Sequence, residues 1–262
     1  MRGIVGATTI RCPMTAPGLD VLAFAAHPDD VELSCGGTMC LLQSQGYTTG
    51  IVDLTRGERG TRGTPEMRAA EAAAASEVLG LSVRENLGMP DGDVAPTPER
   101  VVAVAAAIRR HRPRVVLLNA PDDRHPDHGN AARLVGEALF TAGLAAVETP
   151  GPDGAPLAPW RPHHALHYMQ SIEFVPTFVV DVTPVWERRM DALRAFKSQF
   201  DASDGGPQTF LTAPGFVQWV EARARSFGYR IGATYGEPLL YRHGPVGVTD
   251  LMTTLGREMD VR

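Results

Sequence analysis

Two short runs in this chain concentrate groups that bind cations and move protons. Ala26-His27-Pro28-Asp29-Asp30 offers one imidazole and two carboxylates; Asp122-Asp123-Arg124-His125-Pro126-Asp127-His128 offers two imidazoles and three carboxylates. A borderline-soft divalent cation such as Zn²⁺ takes N and O ligands of this kind, and catalytic sites use three protein ligands with one position left open. His27/Asp30 and His125/His128 are each spaced i, i+3, which returns two side chains to one side of a turn. A residue beside a ligand points elsewhere, so one carboxylate of the first run stays free for proton transfer. Spacing alone leaves open whether that is Asp29 or Asp30. Two His and one carboxylate suit Zn²⁺ and also non-haem Fe²⁺. Taken singly, each run also reads as a capped helix start; it is their shared placement after strands that argues for chemistry.

Each run directly follows a short, continuous apolar segment, residues 21–26 and 115–118. Such segments mark strands buried on both faces. Further strands are expected near 51–54, 83–87, 165–169 and 178–182. Helices are expected over about 37–45, closed by Gly46, and over 64–79, with Pro65 at the first position and Gly80 behind it. Others cover about 98–110, 128–142, 184–200 and 215–227. Strands alternating with helices imply right-handed βαβ units. The expected fold class is α/β, three-layered, with a mostly parallel sheet, helices on both faces and a C-terminal cap. Parallel strands bring both runs to one sheet edge, where ligands bind in such folds. Residues 1–19 are expected to form a disordered leader, and 20–262 a single domain.

Composition narrows the classes. The 262 residues are 44% hydrophobic and 21% charged, ordinary globular usage, and no apolar run approaches the ~20 residues of a membrane span. A net charge of −5 offers nucleic acid and anionic membranes no electrostatic footprint. Of the 25 basic residues only Lys197 is a lysine. Arginine clamps anions and serves poorly as a base, so proton transfer falls to other side chains. Cys12, Cys35 and Cys40 form no C-x-x-C pair. That rules out a thiolate zinc site, argues against a secreted disulfide framework, and makes a cytoplasmic location the expectation. The chain has neither dinucleotide nor P-loop glycine motif, so a nucleotide-binding module built on a Gly36-Gly37 turn has little support.

In order along the chain, AHPDDVELSCGGT, TRGERGT followed by a further Arg, PDGD and DRHPDHGN resemble the LmbE/PIG-L deacetylase superfamily. Its members are metal-dependent amidohydrolases of Rossmann-like fold that deacetylate N-acetylglucosamine derivatives. FKSQFD, the TFLT segment, VEARARSFG and YGEPL are similar to the branch that acts on N-acetylglucosaminyl-malate in bacillithiol biosynthesis. The resemblance implies His27, Asp30 and His128 as metal ligands, with Zn²⁺ or Fe²⁺ bound, and Asp29 as general base. It implies His125, as imidazolium, as the group that stabilises the oxyanion or protonates the leaving amine, with Asp127 as its expected partner. It places Arg68 and Arg124 against the carboxylates of a malyl aglycone, and lets Asp91 accept sugar hydroxyl protons. Thiol-conjugate amidase and deacetylase of another N-acetylglucosamine derivative stand as alternatives. A homo-oligomer, hexameric in the family, is expected. Arg56, Arg59 and Arg62 read as solvated loop charges, and His163, His164 and His167 as entering a strand.

Overall fold

The computed structural model describes residues 18–249, apart from 152, 153, 204 and 243. Most of the expected leader, residues 1–17, lies outside the described residues; Leu19 is already tied down, its N–H donating to the carbonyl of His111 at 3.0 Å. The elements run β1 (Val21–Ala25), α1 (Asp30–Ser44), β2 (Thr49–Thr55), α2 (Pro65–Leu79), β3 (Val83–Met89), α3 (Pro98–His111) and β4 (Val115–Leu118). They continue with α4 (Pro126–Thr141), β5 (His164–Tyr168), β6 (Phe178–Asp181), α5 (Trp186–Arg194), α6 (Lys197–Phe200), α7 (Phe216–Tyr229) and β7 (Gly236–Tyr241).

One sheet holds all seven strands in the order β3-β2-β1-β4-β5-β7-β6. The first five are mutually parallel; β7 runs antiparallel between β5 and β6. Side chains alternate across the buried strand β1. Leu22 and Phe24 turn to one face, packing with Val104 and Ile108 of α3 and Leu134 of α4. Val21, Ala23 and Ala25 turn to the other, with Val31 and Met39 of α1 and Leu79 of α2. Continuous apolarity was therefore the correct signal for a strand covered on both sides.

The chain winds from β1 through β2 to β3, then returns to place β4 on the opposite side of β1, with Val21 beside Val115 and Ala23 beside Leu117. The crevice beyond the carboxyl ends of β1 and β4 is the topological switch point, where open α/β sheets bind ligands. Local signals for the surrounding helices held. Thr64 caps α2 by accepting from the N–H of Met67, Pro65 opens it, and Gly80 ends it at φ 66°. Thr97 caps α3 in the same way.

Four expectations are corrected. The first helix begins at Asp30, seven residues ahead of position 37, and Gly36 and Gly37 lie inside it, past a kink at Cys35 (φ −143°, ψ 23°). Gly37 is there because a Cβ would meet Glu237 Oε1 at 2.8 Å and Val182 at 2.9 Å. Glu237 accepts from the N–H groups of Gly37 (2.9 Å) and Thr38 (2.6 Å), so no phosphate-cradling turn exists at these glycines. The helix expected over 184–200 is broken: a 3-10 turn at Thr183–Val185 precedes α5, and α6 follows separately. The strand β7 was not expected, because Pro238 and its short apolar run carry no strand pattern until it pairs with both neighbours. Arg62 is not a solvated charge either. It is buried, donating to the carbonyls of Ser198 (2.8 Å), Asp201 (2.8 Å) and Pro207 (3.1 Å), and so holds the segment after α6.

Candidate active site

The turn after β1 is strained. Asp29 has φ 116° and ψ −22°, left-handed backbone that a non-glycine residue adopts only where the surroundings impose it. They do so from both sides. The carbonyl of Asp29 accepts the first turn of α1 from the N–H of Leu33 at 2.9 Å. Arg68, from α2, donates to the carbonyl of Pro28 and sets Nη2 3.0 Å from Asp29 Oδ2. The turn parts the two neighbouring carboxylates: Asp29 faces Arg68, and Asp30 faces the histidines.

Asp30 is buried and saturated with donors. Its Oδ2 accepts from the N–H of His27 (3.0 Å) and from Asn119 Nδ2 (3.1 Å), and Oδ1 accepts from Gln170 Nε2 (3.2 Å). His128 Nε2 lies 3.1 Å from Oδ1, and His27 Nδ1 lies 3.7 Å from Oδ2. The opposite nitrogen of each ring is held by another carboxylate. His27 Nε2 stands 3.2 Å from Asp127 Oδ2 and 3.2 Å from Asp91 Oδ1; His128 Nδ1 stands 2.5 Å from Asp123 Oδ2. Donor atoms of His27, His125 and His128 lie within 4.8 Å of one another, as do those of His27, Asp91 and Asp127. The two runs thus converge, as their strand-end placement predicts.

Charge in this cluster follows from burial set against pairing. Burial raises Asp29 strongly; Arg68 opposes it, Asp30 adds to it, and the carboxyl sits up at about 7. Burial would also raise Asp30, but His128 and His27 outweigh it and hold that carboxyl far below the usual range. Burial would lower His27, yet Asp127 and Asp91 outweigh it and lift the imidazole to about 10. His128 is lifted to about 9 in the same manner, by Asp30 and Asp123. Adjacent carboxylates held apart in this way are a signature of acid–base sites.

Two expected roles shift. Asp127 does not serve His125 with its carboxylate. Placed in the first turn of α4, it sends Oδ2 back to His27 and to the N–H of Gly92 (2.8 Å), while its own N–H donates to His125 Nδ1 at 3.2 Å. His125 is therefore the N-cap of α4, with Nδ1 accepting, which puts a neutral ring's proton on Nε2. Burial, then repulsion from His27 and His128, lowers its pKa, so the imidazolium expected there is disfavoured in this structure.

A cleft of about 430 Å³ opens over these groups, and Asp29, Asp30, Asp91, His125 and His128 reach it. Arg68 lines it but is committed to Asp29 and Pro28; Arg124 lines it with its guanidinium 4.3 Å over the ring of Phe210. Arg59, read as a solvated charge, lines it too, its backbone N–H donating to Asp91 Oδ2 at 2.9 Å. Sequence reasoning missed Asn119 and Gln170, which orient Asp30, and Asp123, which holds His128. Asn119 directly follows β4 and Gln170 lies two residues beyond β5, so strand-end position was the available signal. It also missed Phe210, Trp219 and Arg223 on the cleft wall. His163 and His164 face a different groove, and His167 sits 2.7 Å from the carbonyl of Asn119.

Comparison with known proteins agrees with this geometry. Residues 22–139 match the family described as PIG-L: GlcNAc-PI de-N-acetylase. The chain is 30% identical over 194 residues to the diacetylchitobiose deacetylase of Thermococcus kodakarensis, covering 69% of this chain and 70% of that protein. It is 29% identical over 202 residues to the 4-oxalmesaconate hydratase of Pseudomonas putida, covering 71% and 76%. Among solved structures, the conserved protein TT1542 from Thermus thermophilus superposes with a TM-score of 0.78 at 40% identity, covering 88% of this chain and 98% of that one. The fold and site define an α/β protein with a His/Asp cluster at the topological switch point of its sheet. The chain belongs to the PIG-L/LmbE family.

Proposed function

We propose that this protein is a metal-dependent N-deacetylase that hydrolyses the acetamide of an N-acetylglucosamine derivative, and that the derivative is N-acetylglucosaminyl-malate. The observation that carries the reading is the arrangement around Asp30. His27 Nδ1 and His128 Nε2 both turn to its carboxylate, each with its other ring nitrogen held by a carboxylate, beside a second carboxylate, Asp29, that faces the cleft. This donor set fits a divalent cation: two imidazoles and one carboxylate, oriented by outer carboxylates as ligating histidines usually are. His27, Asp30 and His128 would hold it, and Zn²⁺ and Fe²⁺ both suit the set. When bound, the cation supplies Lewis acidity toward the amide carbonyl and acidifies water.

The chain's own residues supply the rest. Asp29 accepts a proton from the attacking water at its carboxylate, whose affinity for a proton burial raises above that of an ordinary Asp. Arg68 keeps that carboxylate aimed and partly ionised. His125 presents Nε2–H to the oxygen that gains charge as the amide carbon becomes tetrahedral. The proton held on Asp29 passes to the departing sugar amine as the C–N bond breaks, releasing acetate. Asp91, with Oδ1 near His27, is the acceptor for a sugar hydroxyl. Among the described residues no helix is long and apolar enough to cross a membrane.

The relative named as a hydratase favours a second reading, water addition to an unsaturated oxo-acid at the same site. The test is a screen of the metal-loaded protein for acetate release from N-acetylglucosaminyl-malate, diacetylchitobiose and free N-acetylglucosamine, run beside hydration of 4-oxalmesaconate. Acetate release with malate preferred supports the proposal. Release without that preference retains only the broader deacetylase, and hydration alone replaces it.

A further inference from the structure

Among the described residues, the other buried or largely buried arginines have partners. Arg84 lies between Glu32 (2.6 Å) and Asp53 (2.8 Å), Arg68 faces Asp29, and Arg189 has Glu237 at 3.6 Å. Arg109 is saturated by backbone carbonyls, among them those of Leu144 (2.6 Å) and Val147 (2.7 Å). Arg223, on α7, is different. It is 8% exposed, it lines the cleft, and its one hydrogen bond among the described residues runs from Nη1 to the carbonyl of Gln170. Its guanidinium lies 4.7 Å over the ring of Trp219. Among the described residues no carboxylate stands within ion-pair distance of it.

A buried guanidinium without a counter-charge is costly, and a protein normally pairs it. The contrast with Arg84 shows the deficit directly. Two carboxylates in contact raise Arg84 despite its burial, whereas burial, then repulsion from Arg189, pushes Arg223 down to about 10, and the more distant carboxylates of Glu237, Glu173 and Asp123 do not make up the difference. Arg124 is also without a carboxylate partner among the described residues and likewise lies on an aromatic ring, that of Phe210. The rings of Phe210, Phe216 and Trp219 form a row, with centroids 5.3 and 5.6 Å apart, and all three line the same cleft. The two guanidinium groups thus stand at the two ends of this aromatic row, each within cation–π distance of a ring.

Resting on the deacetylase reading, we infer that Arg223 and Arg124 form the receptor for an anionic group, a carboxylate or a phosphate, on the substrate's aglycone, and that Arg68 is not part of it. Arg68 spends its guanidinium on Asp29 and Pro28 and acts on the reaction through Asp29. Arg223 supplies the charge that a sugar without an acidic aglycone leaves unmatched.

The test uses the metal-loaded full chain and three substrates: methyl N-acetylglucosaminide, N-acetylglucosaminyl-malate and N-acetylglucosamine 1-phosphate. Wild-type kcat/KM is expected to favour one acidic substrate over the neutral one, and which one identifies carboxylate or phosphate. Arg223→Met lowers that acid-to-neutral ratio by roughly ten- to a hundredfold. The loss falls mainly on KM, and Arg223→Lys recovers part of it. Should Arg223→Met fail to fold, Arg223→Lys and Arg124→Ala carry the comparison, both lowering the ratio. A ratio within threefold of wild type in the folded variants, or a wild type with no acidic preference, overturns the inference. If the wild type releases no acetate from any substrate, the deacetylase reading fails separately. Calorimetry with malate and with inorganic phosphate then decides the receptor: binding lost in the Arg223 variant supports it, and absent or unaltered binding overturns it.

Discussion

Arg68 on α2 binds both halves of the strained turn after β1, donating to the carbonyl of Pro28 while its Nη2 stands 3.0 Å from the carboxylate of Asp29. A helix from another part of the chain therefore fixes the direction of the proposed base. Arg68→Met is expected to lower kcat by roughly a hundredfold through misplacement of Asp29. Leaving a buried carboxylate without its cation should also cost about 3 kcal/mol of stability. Steady-state kinetics and chemical denaturation check both. Full activity in the folded variant would remove Arg68 from the machinery.

The parting of the two adjacent carboxylates predicts opposite phenotypes. Asp30→Asn should lose metal and turnover together, as should His27→Ala and His128→Ala. Asp29→Asn should keep its metal and lose rate by roughly 10²–10⁴-fold. Metal content by elemental analysis, read beside acetate release, separates the roles. Metal lost from Asp29→Asn and kept in Asp30→Asn would exchange them.

Asp123 touches His128 Nδ1 at 2.5 Å and is itself fixed by the N–H groups of Ser171 (2.8 Å) and Ile172 (2.9 Å). Such outer partners typically hold 10–100-fold of metal affinity. Asp123→Ala is expected to weaken metal binding by about that factor, measured by competition with a chelator. Unchanged affinity would make Asp123 a purely structural loop anchor.

Gly37 faces Glu237 and Val182 with no room for a methyl group. Gly37→Ala should destabilise the protein by about 1–3 kcal/mol through overpacking. Gly46, which a Cβ would leave open to solvent, sits at φ 86°, so any cost there comes from backbone strain alone. Denaturant midpoints of the two Ala variants should place Gly37→Ala lower.

Glu85 sits below its ordinary pKa because His111 hydrogen-bonds its carboxylate at 2.7 Å, with Arg110 adding to the effect. A carboxyl depressed in the folded state stabilises above its unfolded pKa and loses that contribution as pH falls through the folded value. Glu85→Gln should therefore cost up to about 1 kcal/mol at neutral pH, with the difference from wild type shrinking below the ordinary glutamate value of 4.5. Urea titrations at neutral and at acid pH measure it. A constant difference across that range would remove the charge from the explanation.

Features written in neighbouring residues were legible from the chain alone. The buried strands announced themselves as unbroken apolar runs. The Thr64-Pro65 start and Gly80 marked the two ends of one helix, because capping and turn chemistry act within a few residues. The order of strands and helices then implied that His27, Asp30, His125 and His128 share one sheet edge. What each side chain touches was a different matter. His27 meets Asp127 across 100 residues, and Gly37 meets Glu237 across 200. Those pairings depend on β4 folding back beside β1 and on β7 inserting between β5 and β6, and no local pattern encodes either. The tertiary structure alone turned Asp127 toward His27, committed Arg68 to Asp29, and left Arg223 buried beside the cleft with no ion pair among the described residues. A side chain's partner is set by which surfaces pack, and packing is decided by the whole sheet at once.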